Sequence, residues 1–226
     1  MAEPHPLLII FDCDGVLIDS EPIACGAVAA GLQGLGIDIS VDDVLRRYTG
    51  VSASAMYADI EARHGRAVSV AERAAIGNAV DARLAAEVEA TPGMHEALRE
   101  LAGRFAFCVA SSSSPTRLSV CLQRTGLAPF FGGHVFSALQ VARGKPAPDL
   151  FLHAAARMAV DPQRCTVVED SVAGAEAARA AGMRCFGFVG GGHATHALAA
   201  ALRDRGAACV FDSMPQLPAL LGLRPT

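Results

Sequence analysis

The chain has no basic excess, no membrane-length apolar run and almost no lysine. Its formal net charge of −4 over 226 residues removes the electrostatic case for nucleic acid or an anionic membrane as partner. No apolar stretch approaches the roughly 20 residues that a spanning helix needs. The apolar run near the N-terminus has no basic region before it and no cleavage-like site after it, so no signal peptide is expected. The seven cysteines are odd in number, scattered and without a CxxC pair, which argues against a disulfide framework and against zinc. Reduced, mostly buried thiols in a cytoplasmic protein fit that usage. There is no internal repeat and no low-complexity linker. Lysine occurs once, at Lys145.

What is present is apolar and alternating. Hydrophobic residues make up 52% of the chain, enough for one core, or a core with a smaller insert. Apolar runs of strand length recur at 7–11, 105–110, 134–137, 165–168 and 184–188, with a short run at 208–211. Helical patterns lie near 94–103, 114–124, 148–158 and 172–181, with a last helix near 213–221. This alternation predicts an α/β fold, a Rossmann-like parallel sheet with helices on both faces. Residues 16–90 break the rhythm, with helical stretches near 20–35, 40–48, 53–64 and 70–89 and no good strand. Ser69-Val70-Ala71-Glu72 has the capping-box pattern at the start of the last stretch. Thr91-Pro92-Gly93 marks the return to alternation. The expected division is a core of 1–15 and 91–226 with a helical insert, 16–90. An insert at that point is expected to form a lid over the strand ends, the other reading being a helical subdomain away from the site.

Four motifs sit at or near the carboxyl ends of expected strands, where open parallel sheets build their sites. Asp12-Cys13-Asp14-Gly15 follows the first run. Residues two apart on an extended strand point the same way, so Asp12 could attack an electrophile while Asp14 moves a proton. Alone, the pair also fits an acidic surface loop. Gly15 suits a tight turn that frees both side chains. Ser111 opens a run of four serines, and with Ser112 it could cradle an anion at a helix start or simply cap that helix. Arg117 could reach the same anion or face solvent. Lys145 lies in Gly-Lys-Pro, where Pro146 biases it toward an extended backbone, and a point charge there suits phosphate among carboxylates. Glu169 and Asp170 follow a buried strand; hard oxygen donors suit Mg²⁺. The small residues Ala173, Gly174, Ala177, Ala178 and Ala181 read as a packing stripe.

In this order and spacing the motifs resemble the haloacid dehalogenase superfamily of phosphotransferases over almost the whole chain, and the insert looks like its helical cap. Within it, the chain is similar to the β-phosphoglucomutase-like branch, which includes many sugar-phosphate phosphatases. The resemblance implies Asp12 as the nucleophile that takes the phosphoryl group. It implies Asp14 as the acid, then the base. Ser111, with Gly15 and Ser112, would hold the phosphoryl oxygens, and Lys145 would steady Asp12 and the transferring group. The implied Mg²⁺ site is Asp12, the Asp14 backbone carbonyl and Asp170, with Glu169 a ligand or a neighbour of one.

The mutases' second-phosphate grip is missing at matching positions. Ala24 stands where they carry a histidine, Thr49 and Ala53 flank Gly50-Val51-Ser52 where they carry lysine and arginine, and Ser114-Pro115 replaces Lys-Asn. Arg46 or Arg47 could substitute, or serve a helix surface. Asp14 argues against dehalogenation, and a cap without lysine argues against Schiff-base phosphonate cleavage. The expected function is a Mg²⁺-dependent phosphatase of a small phosphorylated sugar, sugar acid or polyol, acting as a monomer. A phosphomutase, and a non-catalytic binding protein on the same scaffold, are the alternatives. Cys13 is expected to pack inward, His193 and His196 to lie at the surface, and Tyr48, Met56 and Tyr57 to pack between cap helices.

Overall fold

The computed structural model describes residues 7–49, 51–192 and 196–223. It divides into two compact units, Met1–Asp19 with Glu89–Thr226, and Ser20–Val88. Gly50 and His193 lie outside the described residues.

The first unit is built on a parallel sheet of β1 (Leu8–Phe11), β2 (Ala106–Ser111), β3 (Val135–Ser137), β4 (Cys165–Glu169), β5 (Arg184–Phe188) and β6 (Cys209–Phe211). The spatial order is β3-β2-β1-β4-β5-β6. β1 reads Leu-Ile-Ile-Phe with all four side chains buried. A strand apolar on both faces can sit only inside a sheet covered on both sides, and β1 lies between β2 and β4. The chain order reverses direction across β1, the switch point at which such sheets open a crevice at their carboxyl ends. Asp12 N donates to Val168 O at 3.0 Å, carrying the β1–β4 ladder one residue past the strand and fixing Asp12 beside the end of β4.

The second unit is helical: α1 (Glu21–Gly34), α2 (Val41–Tyr48), α3 (Ala53–His64) and α4 (Val70–Glu87). Ser40 with Asp43 and Ser69 with Glu72 form capping boxes that satisfy the first amides of α2 and α4. Tyr48, Met56 and Tyr57 pack with Leu32, Val44 and Ile60 in this unit's own core. α1 and α4 are close where Gly31 faces Ile76; a Cβ there would meet Ile76 Cγ1 at 2.6 Å.

Around the sheet run α5 (Met94–Leu101), α6 (Pro115–Arg124), α7 (Ala128–Phe131), α8 (Asp149–Arg157), α9 (Val172–Ala180), α10 (His196–Asp204) and α11 (Leu217–Leu220). The short α7 and the alanine-rich α10 have no counterpart in the sequence reading. The single helix expected near 213–221 is a 3₁₀ turn, Met214–Gln216, followed by α11. Pro215 and Pro218 each fall in a first turn, where a missing amide costs nothing, and so divide the segment in two.

Truncating a central strand tests this core. Ile10→Ala removes a side chain that is 0% exposed and is expected to cost about 2–5 kcal/mol of unfolding free energy, read by denaturant titration. A cost well below that range would mean that the sheet is not packed on both faces.

Candidate active site

Three strand ends and one loop bring the polar groups together. Asp12 follows β1, Ser111 ends β2, Glu169 ends β4 with Asp170 next, and Lys145 arrives on the loop between β3 and α8. Lys145 Nζ lies 2.7 Å from Asp12 Oδ1 and 2.7 Å from Glu169 Oε2. Its Nζ also sits 5.0 Å from the centroid of the Phe151 ring, whose face favours a cation. Burial by itself would push the ammonium down. The Asp12 and Glu169 carboxylates outweigh that, so Lys145 is held above the ordinary lysine range and stays charged. The Lys145–Pro146 peptide is cis.

Glu169 is fully buried and both its oxygens are in use. Oε2 takes Lys145, and Oε1 accepts from the Ser171 hydroxyl at 2.7 Å and the Ser171 amide at 3.1 Å. Ser171 also caps α9, since its Oγ accepts from Gly174 N at 3.0 Å. Gly174 has a second reason to be glycine: a Cβ there would lie 2.0 Å from Glu169 Cδ. What reads in sequence as part of a packing stripe is the space that the carboxylate occupies.

Asp12 bears the electrostatic consequence. Burial first, then the Glu169 charge, push it well above the usual carboxylate range; Lys145 pulls it down and Asp170 adds to the rise. One oxygen from each of Asp12, Glu169 and Asp170 lies within 4.8 Å of the others. Three buried carboxylates close together, two of them on one ammonium, leave an excess of negative charge that a divalent cation would neutralise. The all-oxygen donor set suits a hard ion that keeps part of its water shell. The residues therefore fit a metal. Asp12, Glu169 and Asp170 each offer one oxygen to such an ion.

Asp14 lies on a turn rather than on the strand. Past Phe11 the chain leaves the extended conformation: Asp14 forms a bridge with Ile18, and Gly15 turns at φ 75° with its amide on Ile18 O at 2.9 Å. The strand period of two stops at β1, and Asp14 Oδ2 accepts from Ser113 Oγ at 2.6 Å. Cys13 is buried between the two acids; burial, then Asp14 and Asp12, push its thiol up, so it is an inert core residue. Ser111 is buried and its Oγ accepts from Ser113 N at 3.1 Å, which leaves the hydroxyl proton to donate elsewhere. Ser112 is exposed at the rim of the same turn, and Ser114 Oγ caps α6 through Arg117 N at 3.3 Å. The sequence reading did not single out Ser113, Ser137, Ser171 or Phe151. Their signals, a serine among serines and a phenylalanine in a helix, carry no chemistry by themselves.

The profile of the haloacid dehalogenase-like hydrolases matches residues 7–182. The chain belongs to that family. It is 32% identical over 186 residues to the 6-phosphogluconate phosphatase of Escherichia coli K12, covering 82% of this chain and 83% of that one. It is 34% identical over 194 residues to hexitol phosphatase B of the same organism, covering 81% and 84%. A crystal structure of a haloacid dehalogenase-like protein of unknown function from Agrobacterium tumefaciens is 40% identical and superposes with a TM-score of 0.87, covering 95% and 97%. Membership and these relatives make this haloacid dehalogenase-like chain a phosphoric monoester hydrolase. Among the described residues, no helix is long and apolar enough to cross a membrane.

Gly174→Ala tests the Glu169 arrangement. The methyl must displace the carboxylate, at a cost of about 1–3 kcal/mol in stability, and with it one of the two anchors of Lys145. Hydrolysis of p-nitrophenyl phosphate is expected to fall about tenfold or more, since small misplacements at a reacting centre are costly. Activity equal to the wild type would show that Lys145 does not depend on Glu169.

Proposed function

We propose that this chain is a Mg²⁺-dependent phosphatase of small phosphorylated sugars, sugar acids or polyols, working through a phosphoryl group carried on Asp12. The observation that carries the reading is the buried Lys145 ammonium held 2.7 Å from both Asp12 and Glu169, one residue before Asp170. A carboxylate is a weak nucleophile toward a phosphate dianion. It needs its charge offset and its lone pair held in line, and a fixed ammonium does both. Asp12 and Asp170 would hold the Mg²⁺, which when bound offsets charge on the substrate and the acids.

In the first step an Asp12 oxygen bonds to phosphorus as the bond to the leaving oxygen breaks, and Asp14 gives that oxygen a proton. In the second, Asp14 takes a proton from water, the water oxygen bonds to phosphorus, and the bond to Asp12 breaks, releasing phosphate. Ser111 donates its hydroxyl proton to a phosphoryl oxygen. The substrate class rests on the relatives: one is named for a phosphorylated sugar acid and one for hexitol phosphates. The helical unit is the proposed source of selectivity among them. A reducing cytoplasm suits the seven free thiols.

A phosphomutase is not favoured. Ser114, at a position where mutases grip the second phosphate, spends its oxygen capping α6, and Pro115 begins that helix. The matching cap positions, Ala24, Thr49 and Ala53, carry no cation.

Phosphate release from a panel of sugar, sugar-acid and polyol phosphates, with Mg²⁺ and with EDTA, tests the reading. Release from a few members only with metal is expected, and Asp12→Asn is expected to lower it by about a thousandfold or more. Release unaffected by EDTA, normal turnover by Asp12→Asn, or glucose 6-phosphate formed from β-glucose 1-phosphate without free phosphate would each contradict it.

A further inference from the structure

Lys145 and Phe151 come from one short segment. The loop that carries the lysine leads directly into α8, and Phe151 lies in the first turn of that helix. Arg143 ties the start of the loop to the start of the helix: its Nε donates to Asp149 Oδ2 at 3.2 Å and its Nη2 to Asp149 Oδ1 at 2.8 Å. Within the loop, Ala147 N donates to Gly144 O at 3.0 Å. The backbone of the lysine is therefore fastened to the helix that bears the ring. The Lys145 side chain is 5% exposed and Phe151 is 0% exposed. Nζ lies over the ring, 5.0 Å from its centroid, where no bulk water screens the contact.

Phe151 packs in the core with Leu8, Ile10, Leu150 and Ala154. Filling that space requires apolar volume, which an aliphatic side chain of similar size also supplies. What volume alone does not supply is the negative face of an aromatic ring. A lysine stem is flexible and its ammonium is a point charge, so two hydrogen bonds leave it room to shift. A third attraction narrows that room. We infer that Phe151 is a positioning residue for Lys145: the electron-rich face of its ring, rather than its bulk, holds the ammonium at the point it shares with Asp12 and Glu169. This rests on the reading of Asp12 as the nucleophile of a phosphatase. It adds that part of the hold on that nucleophile comes from an apolar side chain of α8.

Fluorine separates charge from volume. Each fluorine on a phenyl ring withdraws electron density from the face and changes the size of the ring little. Incorporating 4-fluoro-, 3,5-difluoro- and 3,4,5-trifluorophenylalanine in place of Phe151, by amber-codon suppression, grades the charge of the face at nearly constant shape. The readout is kcat/KM for p-nitrophenyl phosphate at saturating Mg²⁺, which reports the first bond to phosphorus. The thermal midpoint of each variant reports packing. A desolvated cation–π contact is strong enough for its loss to cost about threefold to thirtyfold. The logarithm of kcat/KM is expected to fall stepwise with the number of fluorines, reaching a total loss in that range with the trifluorinated ring. A ring that only fills space would leave the series flat. A change of less than about twofold across the series, or a loss complete at the first fluorine and accompanied by a lowered thermal midpoint, would overturn the inference and leave the phosphatase reading standing. A wild-type chain that does not cleave p-nitrophenyl phosphate would overturn the phosphatase reading, and this inference with it.

Discussion

The structure depends on one ammonium. Lys145 is the chain's single lysine, and its Nζ is buried against Asp12 and Glu169 beside a third carboxylate, Asp170. Acids gathered this closely repel one another and resist ionisation, and burial makes both effects larger. Lys145 opposes the burial and the Glu169 charge that push Asp12 above the usual carboxylate range. The supports around Lys145 follow from that role: a phenylalanine face beneath the ammonium, a glutamate with both oxygens occupied, and a glycine that leaves room for the glutamate. Each is a small requirement imposed on an ordinary element by one buried charge.

The sheet makes the gathering possible. Asp12, Ser111 and Glu169 come from strands far apart in sequence that the order β3-β2-β1-β4-β5-β6 sets side by side. The apolar strands fix the backbone, and the last residues of β2 and β4 and the first after β1 gather at the carboxyl edge. The ladder bond from Asp12 N to Val168 O carries sheet geometry into the site by one further residue. Beyond that point side chains take over, and the bonds among Ser137, Ser113 and Asp14 continue the order from strand to turn.

Much of this was legible in the residues. Buried parallel strands are continuous apolar runs, so β1 to β6 can be read to within a residue or so at their ends. The Ser69–Glu72 capping box states its meaning locally. The acids and Lys145 were legible because charge after a buried strand is costly unless it is used. What was not legible depends on three-dimensional neighbours. Ser113 and Ser114 are adjacent and identical, yet one binds an acid and the other caps a helix. Gly174 looks like any small residue until the Glu169 carboxylate is placed against it. The turn at Gly15, with its amide on Ile18 O, was not legible either, because it depends on a residue that the strand period does not reach. α7 is a single turn and α10 follows a glycine loop, so neither offered the long periodicity on which helix reading depends.

A phosphatase working through Asp12 must at some point have phosphorus bonded to that carboxylate. Rapid acid quenching during turnover of p-nitrophenyl phosphate, followed by digestion and mass measurement of the peptide containing Asp12, tests this directly. One added phosphoryl group on Asp12, absent from Asp12→Asn, is the predicted result. A peptide that never gains the group while phosphate is being released would mean that water attacks the substrate without a covalent intermediate, and that Lys145 and Glu169 are arranged around Asp12 for some other purpose.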